Sequence, residues 1–248
     1  MSIANTNYQG KWNFIFEKYS KILFYSVTYG CYVSNVIAPD NDIDLKVVGG
    51  QHLGERNSRD VSVMQIKKGK MTHFPDVTHV TEDFPNLTGF GITFTGLKKI
   101  ERQKLKSLSK LTFFLINDNE IEEIPADTFL DLTNLELIDI CRNEIKMLDS
   151  NWLTSMPRLR VFKARSNKFE IIPANMFSIN KQLEEILLDD NQIARNEVNF
   201  VELPKLKLIA MLENKCINLE FCNDPKKSKC IRSLQQFNYL INGNCGVF

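Results

Sequence analysis

The sequence predicts an α/β solenoid: a horseshoe with a parallel β-sheet on its concave side, an irregular or 3-10 convex side, and a cap at each end. Three observations carry that prediction. Asn119, Asn143, Asn167 and Asn191 follow one another at equal steps of 24 residues. Each stands at the same place in an apolar pattern, L-x-x-Φ-x-Φ-x-x-N-x-Φ, where Φ is a large apolar residue. Four of the six cysteines (Cys216, Cys222, Cys230 and Cys245) crowd into the C-terminal end, where the last copy of that pattern finishes.

The pattern can be traced through about seven units. The first reads Val61, Met64, Ile66, with Gly69 at the Asn position, then Met71. The second reads Leu87, Phe90, Ile92, Thr95, Leu97. Four units with Asn follow: Leu111, Phe114, Ile116, Asn119; Leu135, Ile138, Ile140, Asn143; Leu159, Phe162, Ala164, Asn167; Leu183, Ile186, Leu188, Asn191. The last unit, one residue shorter, is Leu206, Ile209, Met211, Asn214, Cys216. Degenerate end units are what a repeat array shows where it becomes its own cap. The second half of each unit repeats too, through Ile100, Ile124, Leu148 and Ile172, and through Leu105, Phe129, Leu153 and Phe177.

Alternate apolar residues point one way, as a half-buried strand requires. The chain then turns and the Asn side chain enters the interior, where its amide must find partners. An amide both donates and accepts, so a stack of them can bond backbone groups of neighbouring turns. One unit cannot close a core, whereas stacked units can. The division expected is a leader and N-terminal cap over 1–60, repeats over 61–215, and a Cys-rich cap over 216–248. Over 1–30 a short helix or disordered leader is expected, and after it a strand over Ile43–Val48 ending at Gly49 and Gly50.

These units resemble leucine-rich repeats of the extracellular, 24-residue type, from Val61 to Cys216. Cap-level features are similar to small secreted leucine-rich repeat proteins of insects. They are the Cys31-Tyr32-Val33-Ser34-Asn35 segment, the Gly50-Gln51-His52 turn, the strand Asp60–Ile66, and Phe84-Pro85-Asn86-Leu87. The resemblance implies secretion and a role in adhesion, innate recognition or extracellular signalling.

The 248 residues are 43% hydrophobic and 25% charged, with a formal net charge of +1. That excludes a disordered chain and a strongly polyanion-binding one, and no nucleic-acid partner is expected. No apolar run approaches the roughly 20 residues that span a bilayer. A signal peptide would open with a basic stretch and then an apolar run. Here Glu17, Lys18 and Lys21 interrupt that place, so either export does not use that route or the true start lies upstream of Met1. The C-terminal cysteines, spaced C-x5-C-x7-C-x14-C, lack the close pairs typical of zinc sites. Disulfides, and hence an extracellular location, are expected. Of three pairings, the nested one joins Cys216 to Cys245 and Cys222 to Cys230. Cys31 then has no partner unless one lies upstream, and Cys141 reads as an exposed or half-buried thiol.

Function is expected on the concave face, at repeat positions three, five and seven with two and eight beside them. Phe113, Leu115, Leu137 and Val161 form an apolar strip there. Glu136, Arg160, Glu184 and Lys207 alternate in charge across it, with Asp139–Lys163 and Arg165–Asp189 beside them and Leu187 between. A contiguous apolar strip on an open face marks a contact site. The candidate ligand-binding set is therefore Phe113, Leu115, Leu137, Asp139, Arg160, Val161, Lys163, Arg165, Leu187 and Asp189. The structural ladder is Asn119, Asn143, Asn167, Asn191 and Asn214. Asn86 heads the one N-x-[ST] sequon and is a candidate for glycosylation. His52, His73 and His79 lack a metal-binding spacing, and no cofactor motif is present. The reading is a non-enzymatic module that recognises a protein ligand or a second copy of itself. An inhibitor that covers an enzyme is the alternative, and a thiol enzyme using Cys141 a weaker one.

Overall fold

A computed structural model of the protein describes residues 57–224 and 229–245, Glu55, and four strands nearer the N-terminus. Those four are β1 (Ser2–Ile3), β2 (Trp12–Glu17), β3 (Thr28–Ala38) and β4 (Val47–Val48). The repeats supply β5 (Val63–Met71), β6 (Gly89–Thr93), β7 (Phe113–Leu115), β8 (Leu137–Asp139) and β9 (Val161–Lys163). After β10 (Ile171–Ile172) come β11 (Glu185–Leu187), β12 (Arg195–Asn196), β13 (Leu208–Met211) and β14 (Leu219–Cys222).

Ten of these strands form one sheet in the order β14-β13-β11-β9-β8-β7-β6-β5-β3-β2. From β3 to β13 all neighbours are parallel, and the two ends, β2 and β14, run antiparallel. The register sets the core. Met64, Phe90, Phe114, Ile138, Phe162, Ile186 and Ile209 stand opposite one another in a single row, all fully buried. The convex half is built of turns, 3-10 segments at Lys106–Leu108 and Phe200–Glu202, and short helices α1 (Thr78–Asp83) and α2 (Arg102–Leu105). Its expected apolar residues are buried: Ile100, Ile124, Leu148 and Ile172, with Leu105, Phe129, Leu153 and Phe177. Rings touch within and between units: Phe114 meets Phe129 of its own unit and Phe129 meets Trp152 of the next, each at 6.3 Å between centroids.

The Asn residues join the turns. In each unit Oδ1 accepts a backbone N–H of the unit before: Leu97, Ile121, Ile145, Phe169 and Ile193 donate to Asn119, Asn143, Asn167, Asn191 and Asn214. Nδ2 donates back to the carbonyls of Ile92, Ile116, Ile140, Ala164 and Leu188. Where Thr95 replaces Asn, its hydroxyl donates to Asn119. The residue before the Asn position is left-handed in every unit: Lys68, Phe94, Asp118, Arg142, Ser166, Asp190 and Glu213 have φ between 51° and 65°.

Two expectations for the N-terminal segment are corrected. Trp12–Glu17 forms a strand rather than a helix or disordered leader, in keeping with its aromatic and β-branched composition. The parallel ladder also begins one strand before Val61, because β3 pairs with β5 and sets Cys31 opposite Met64 and Val33 opposite Ile66. Cys31 is thus a core residue, fully buried, and burial pushes its thiol pKa up. Of the strand expected over Ile43–Val48, Val47–Val48 pairs with β1, and 43–46 lie outside the described residues, as do Gly49, Gly50 and His52.

The last layer is covered by α3 (Leu234–Asn244), whose first turn is capped by Ser233 accepting from the Gln236 N–H. Phe237 and Ile241 face inward, and Phe237 stacks against Phe200 and Phe221. The structure pairs Cys216 with Cys245 (Cα–Cα 5.2 Å) and Cys222 with Cys230 (5.7 Å). The first bond ties the end of α3 to the last repeat turn, where the cap would otherwise fray. Among the described residues no helix is long and apolar enough to cross a membrane.

Candidate ligand-binding face

Strand alternation places repeat positions three and five on the concave side, opposite the core row. The row at position three reads Gly30, Val63, Gly89, Phe113, Leu137, Val161, Glu185, Leu208. Val63, Phe113, Leu137 and Val161 form a hydrophobic cluster separate from the main core, with Leu115 packed against it.

The expected apolar strip is there, but it is not open to water. Phe113, Leu137 and Val161 are only 3%, 5% and 1% exposed. Strands lie about 4.8 Å apart, so each side chain in a row covers the next. Gly89 lets the Phe113 ring lie across the neighbouring strand, since a Cβ there would overlap the ring. Leu115, Asp139 and Lys163 are half-buried, Leu187 is buried, and Arg165 is exposed.

The charges pair across strands, though not all as expected. Arg160 donates to Glu184 through Nε at 2.8 Å and lies 3.6 Å from Glu136, while Lys207 reaches Glu184 at 2.6 Å. Burial alone raises the Glu184 pKa, but these two cations outweigh it and hold the carboxyl below its usual range. Arg165 pairs with Asp189, whose other oxygen accepts from the Leu212 N–H at 3.0 Å. Arg142 pairs with Asp118 along the rim. Asp139 does not pair with Lys163: its carboxylate turns back to accept from the Cys141 N–H at 3.0 Å.

Cys141 is 5% exposed rather than exposed or half-buried, with the Arg165 N–H directed at its sulfur at 3.3 Å. Burial, and next the Asp139 carboxylate, push its pKa up, so the thiolate that nucleophilic chemistry needs is suppressed. His73 bonds Thr72 and His79 bonds Glu82, on separate segments. Among the described residues no group of three His, Cys, Asp or Glu is placed to hold a metal ion. Asn86 is exposed, and its Nδ2 donates to the Arg59 carbonyl at 2.8 Å.

One residue escapes the sequence-based candidate set. Glu185 sits in the position-three row between Val161 and Leu208 and is 8% exposed. The signal for it is a carboxylate in a row that is otherwise apolar or glycine from Gly30 to Leu208.

Residues 133–193 match the family model described as leucine rich repeat. No curated protein sequence matches the chain. Among solved structures the chain is similar to the leucine-rich repeat domain of mosquito APL1, with TM-score 0.60 and 16% identity over 81% of this chain. It is also similar to a chain of the mosquito LRIM1/APL1C complex, with TM-score 0.59 and 16% identity over 74% of this chain. A third similar structure is the Leptospira interrogans LRR protein LIC12759, with TM-score 0.55 and 20% identity over 63%. The chain spans 52%, 33% and 38% of the lengths of those three. The repeat pattern, the match over residues 133–193 and the ten-stranded solenoid together show a leucine-rich repeat fold.

Proposed function

We propose that the protein is a secreted, non-enzymatic binding module that takes a protein ligand on its concave face. The observation that carries this reading is the second hydrophobic cluster, Val63, Phe113, Leu137 and Val161 with Leu115, built on the sheet face outside the core. A solvent-facing sheet surface needs no apolar row for folding, because the core row behind it already joins the strands. Here the cluster gives a rigid floor, and Arg160, Lys163, Arg165, Asp139 and Asp189 stand beside it. The floor itself is shielded, so the side chains open to a ligand are those around it, Leu115, Asp139, Lys163 and Arg165. One similar structure, the LRIM1/APL1C complex, is of two proteins assembled together, which supports a protein partner or a second copy here. The two cysteine pairs of the C-terminal cap support an oxidising, extracellular location.

The test is Leu115→Arg combined with Arg165→Glu, changes at a half-buried and an exposed site that spare Val63, Phe113, Leu137 and Val161. Cross-linking in the native extracellular fluid, together with sedimentation for self-association, reads the outcome. Lost partner capture or lost self-association with an unchanged melting temperature supports the reading. Undiminished association of the double variant overturns it.

A further inference from the structure

We propose that Phe94 is the aromatic anchor of the concave face, and that it takes an apolar side chain from an acidic segment of the protein ligand. This rests on the concave-face reading above and names the chemistry of its partner. Phe94 follows β6 directly, at the repeat position where the backbone is left-handed in every unit, with φ 57°. The other occupants of that position are Lys68, Asp118, Arg142, Ser166, Asp190 and Glu213, all polar or charged. An aromatic side chain is a poor choice there for two separate reasons. Its Cβ crowds the backbone in the left-handed region, where a bulky residue is an outlier. Its ring is also 50% exposed, whereas every other phenylalanine from Phe74 to Phe237 is buried. Neither cost serves the fold, because polar residues make the same turn in the other units. Strain kept at a surface position points to function.

The charge around the ring selects the partner. Phe94 neighbours Lys68 in the ladder, since its carbonyl accepts the Gly69 N–H at 3.1 Å, and Lys67 stands opposite Thr93. Lys67 and Lys68 are exposed and make no ion pair among the described residues. That sets them apart from cations of later units: Arg142, Arg160, Arg165, Lys168 and Lys207 each reach a carboxylate. On the other side of Phe94 its N–H donates to the Asp118 carbonyl, and the Asp118 carboxylate is already held by Arg142. The positive charge beside Phe94 is therefore unanswered within the chain. A segment that brings an apolar side chain with Asp or Glu next to it covers the ring and answers both lysines. Leu115 faces Gly91 on β6, three residues before Phe94, so such a segment continues onto the border of the apolar floor.

The experiment selects a phage-displayed peptide library on the full chain and measures the recovered peptides against defined variants. Peptides enriched in Asp or Glu beside an aromatic or aliphatic residue are expected. Covering the exposed half of the ring is worth about a tenfold change in affinity, so binding to Phe94→Asn should be weaker by at least that factor. Lys67→Gln combined with Lys68→Gln should weaken binding severalfold and remove most of its salt dependence. Asparagine tolerates the left-handed backbone, so the melting temperature of Phe94→Asn should equal or exceed that of the parent. A lower melting temperature would show that the ring serves the fold and would overturn the assignment, as would peptides without acidic residues. Peptides that ignore Phe94→Asn but are lost on Leu115→Arg with Arg165→Glu would overturn this inference and leave the concave-face reading standing. Peptides indifferent to both variants, or no selected peptide at all, would overturn both.

Discussion

The ring of Phe113 occupies the space that a side chain on Gly89 would need, one strand away in the sheet. Gly89 is thus required for a reason of volume rather than backbone conformation. Gly89→Ala is expected to push the ring off the floor and expose it. Overpacking of this kind costs about 1–3 kcal/mol, read by urea denaturation. A fall in the denaturation midpoint with new exposure of Phe113 is the expected outcome, and an unchanged midpoint would show that the ring has room to move.

Asn143→Ala tests the ladder that joins the turns. It removes the acceptor of the Ile121 N–H and the donor to the Ile116, Ile140 and Cys141 carbonyls. The three carbonyls keep donors in Asn119, Asn167 and the Asp118 N–H, so the Ile121 N–H is the group left unpaired, and a loss of about 1–3 kcal/mol is expected. Asn143→Asp sets a carboxylate oxygen against the Ile116, Ile140 and Cys141 carbonyls and should cost at least as much as the alanine variant at neutral pH.

Glu184 and Glu185 should respond to pH in opposite senses. The Glu184 carboxyl is held below its usual pKa, so its contribution to stability is present above the ordinary glutamate range. It is lost as pH falls through the lowered value. Burial holds the Glu185 pKa above its usual range, partly offset by Lys163, so its ionised form weakens the fold as pH rises through that raised value. At neutral pH Glu184→Gln is expected to lower the melting temperature and Glu185→Gln to raise it, each by about 2–4 °C per kcal/mol. Both differences should vanish in acid, where the parent carboxylates are protonated. A destabilised Glu185→Gln at neutral pH would contradict this account.

The native protein should show no fast-reacting thiol. Cys31 and Cys141 are buried, with raised pKa values, and the other four cysteines are paired. Alkylation with iodoacetamide in mildly alkaline buffer is expected to be slow, and to label Cys31 and Cys141 once denaturant is added. Rapid labelling of Cys141 without denaturant would reopen the thiol chemistry that its burial excludes.

Much of this architecture is legible from residues alone, because the register is written in equal spacings. Phe114, Ile138 and Phe162 repeat at one interval, and strands stacked in parallel must then place them in one row. Cys31 is harder to place, since it lies further from its partner Met64 than one repeat interval, and no Asn follows its apolar pair at the repeat spacing. The alternation also identifies which side chains face the concave side. It does not tell how deeply they sink, because that depends on neighbours across strands: Phe113 is covered partly through the space at Gly89. The same limit hides the burial of Glu185, which is set by its neighbours across strands rather than by its own place in the repeat.

The pairing intervals of the sheet carry a kinetic consequence. From β5 to β13 every successive pairing closes a loop of nearly the same length, as Met64 with Phe90 and Ile186 with Ile209 illustrate. Loop-closure entropy depends only weakly on length, so each turn added to a formed pair meets nearly the same entropic barrier. Folding can then nucleate at any adjacent pair of turns and spread outward, with the antiparallel end strands joining last. Hydrogen exchange should accordingly be slowest in the amides around Ile138 and Phe162 and quicken toward both ends, a gradient set by topology rather than by any single contact.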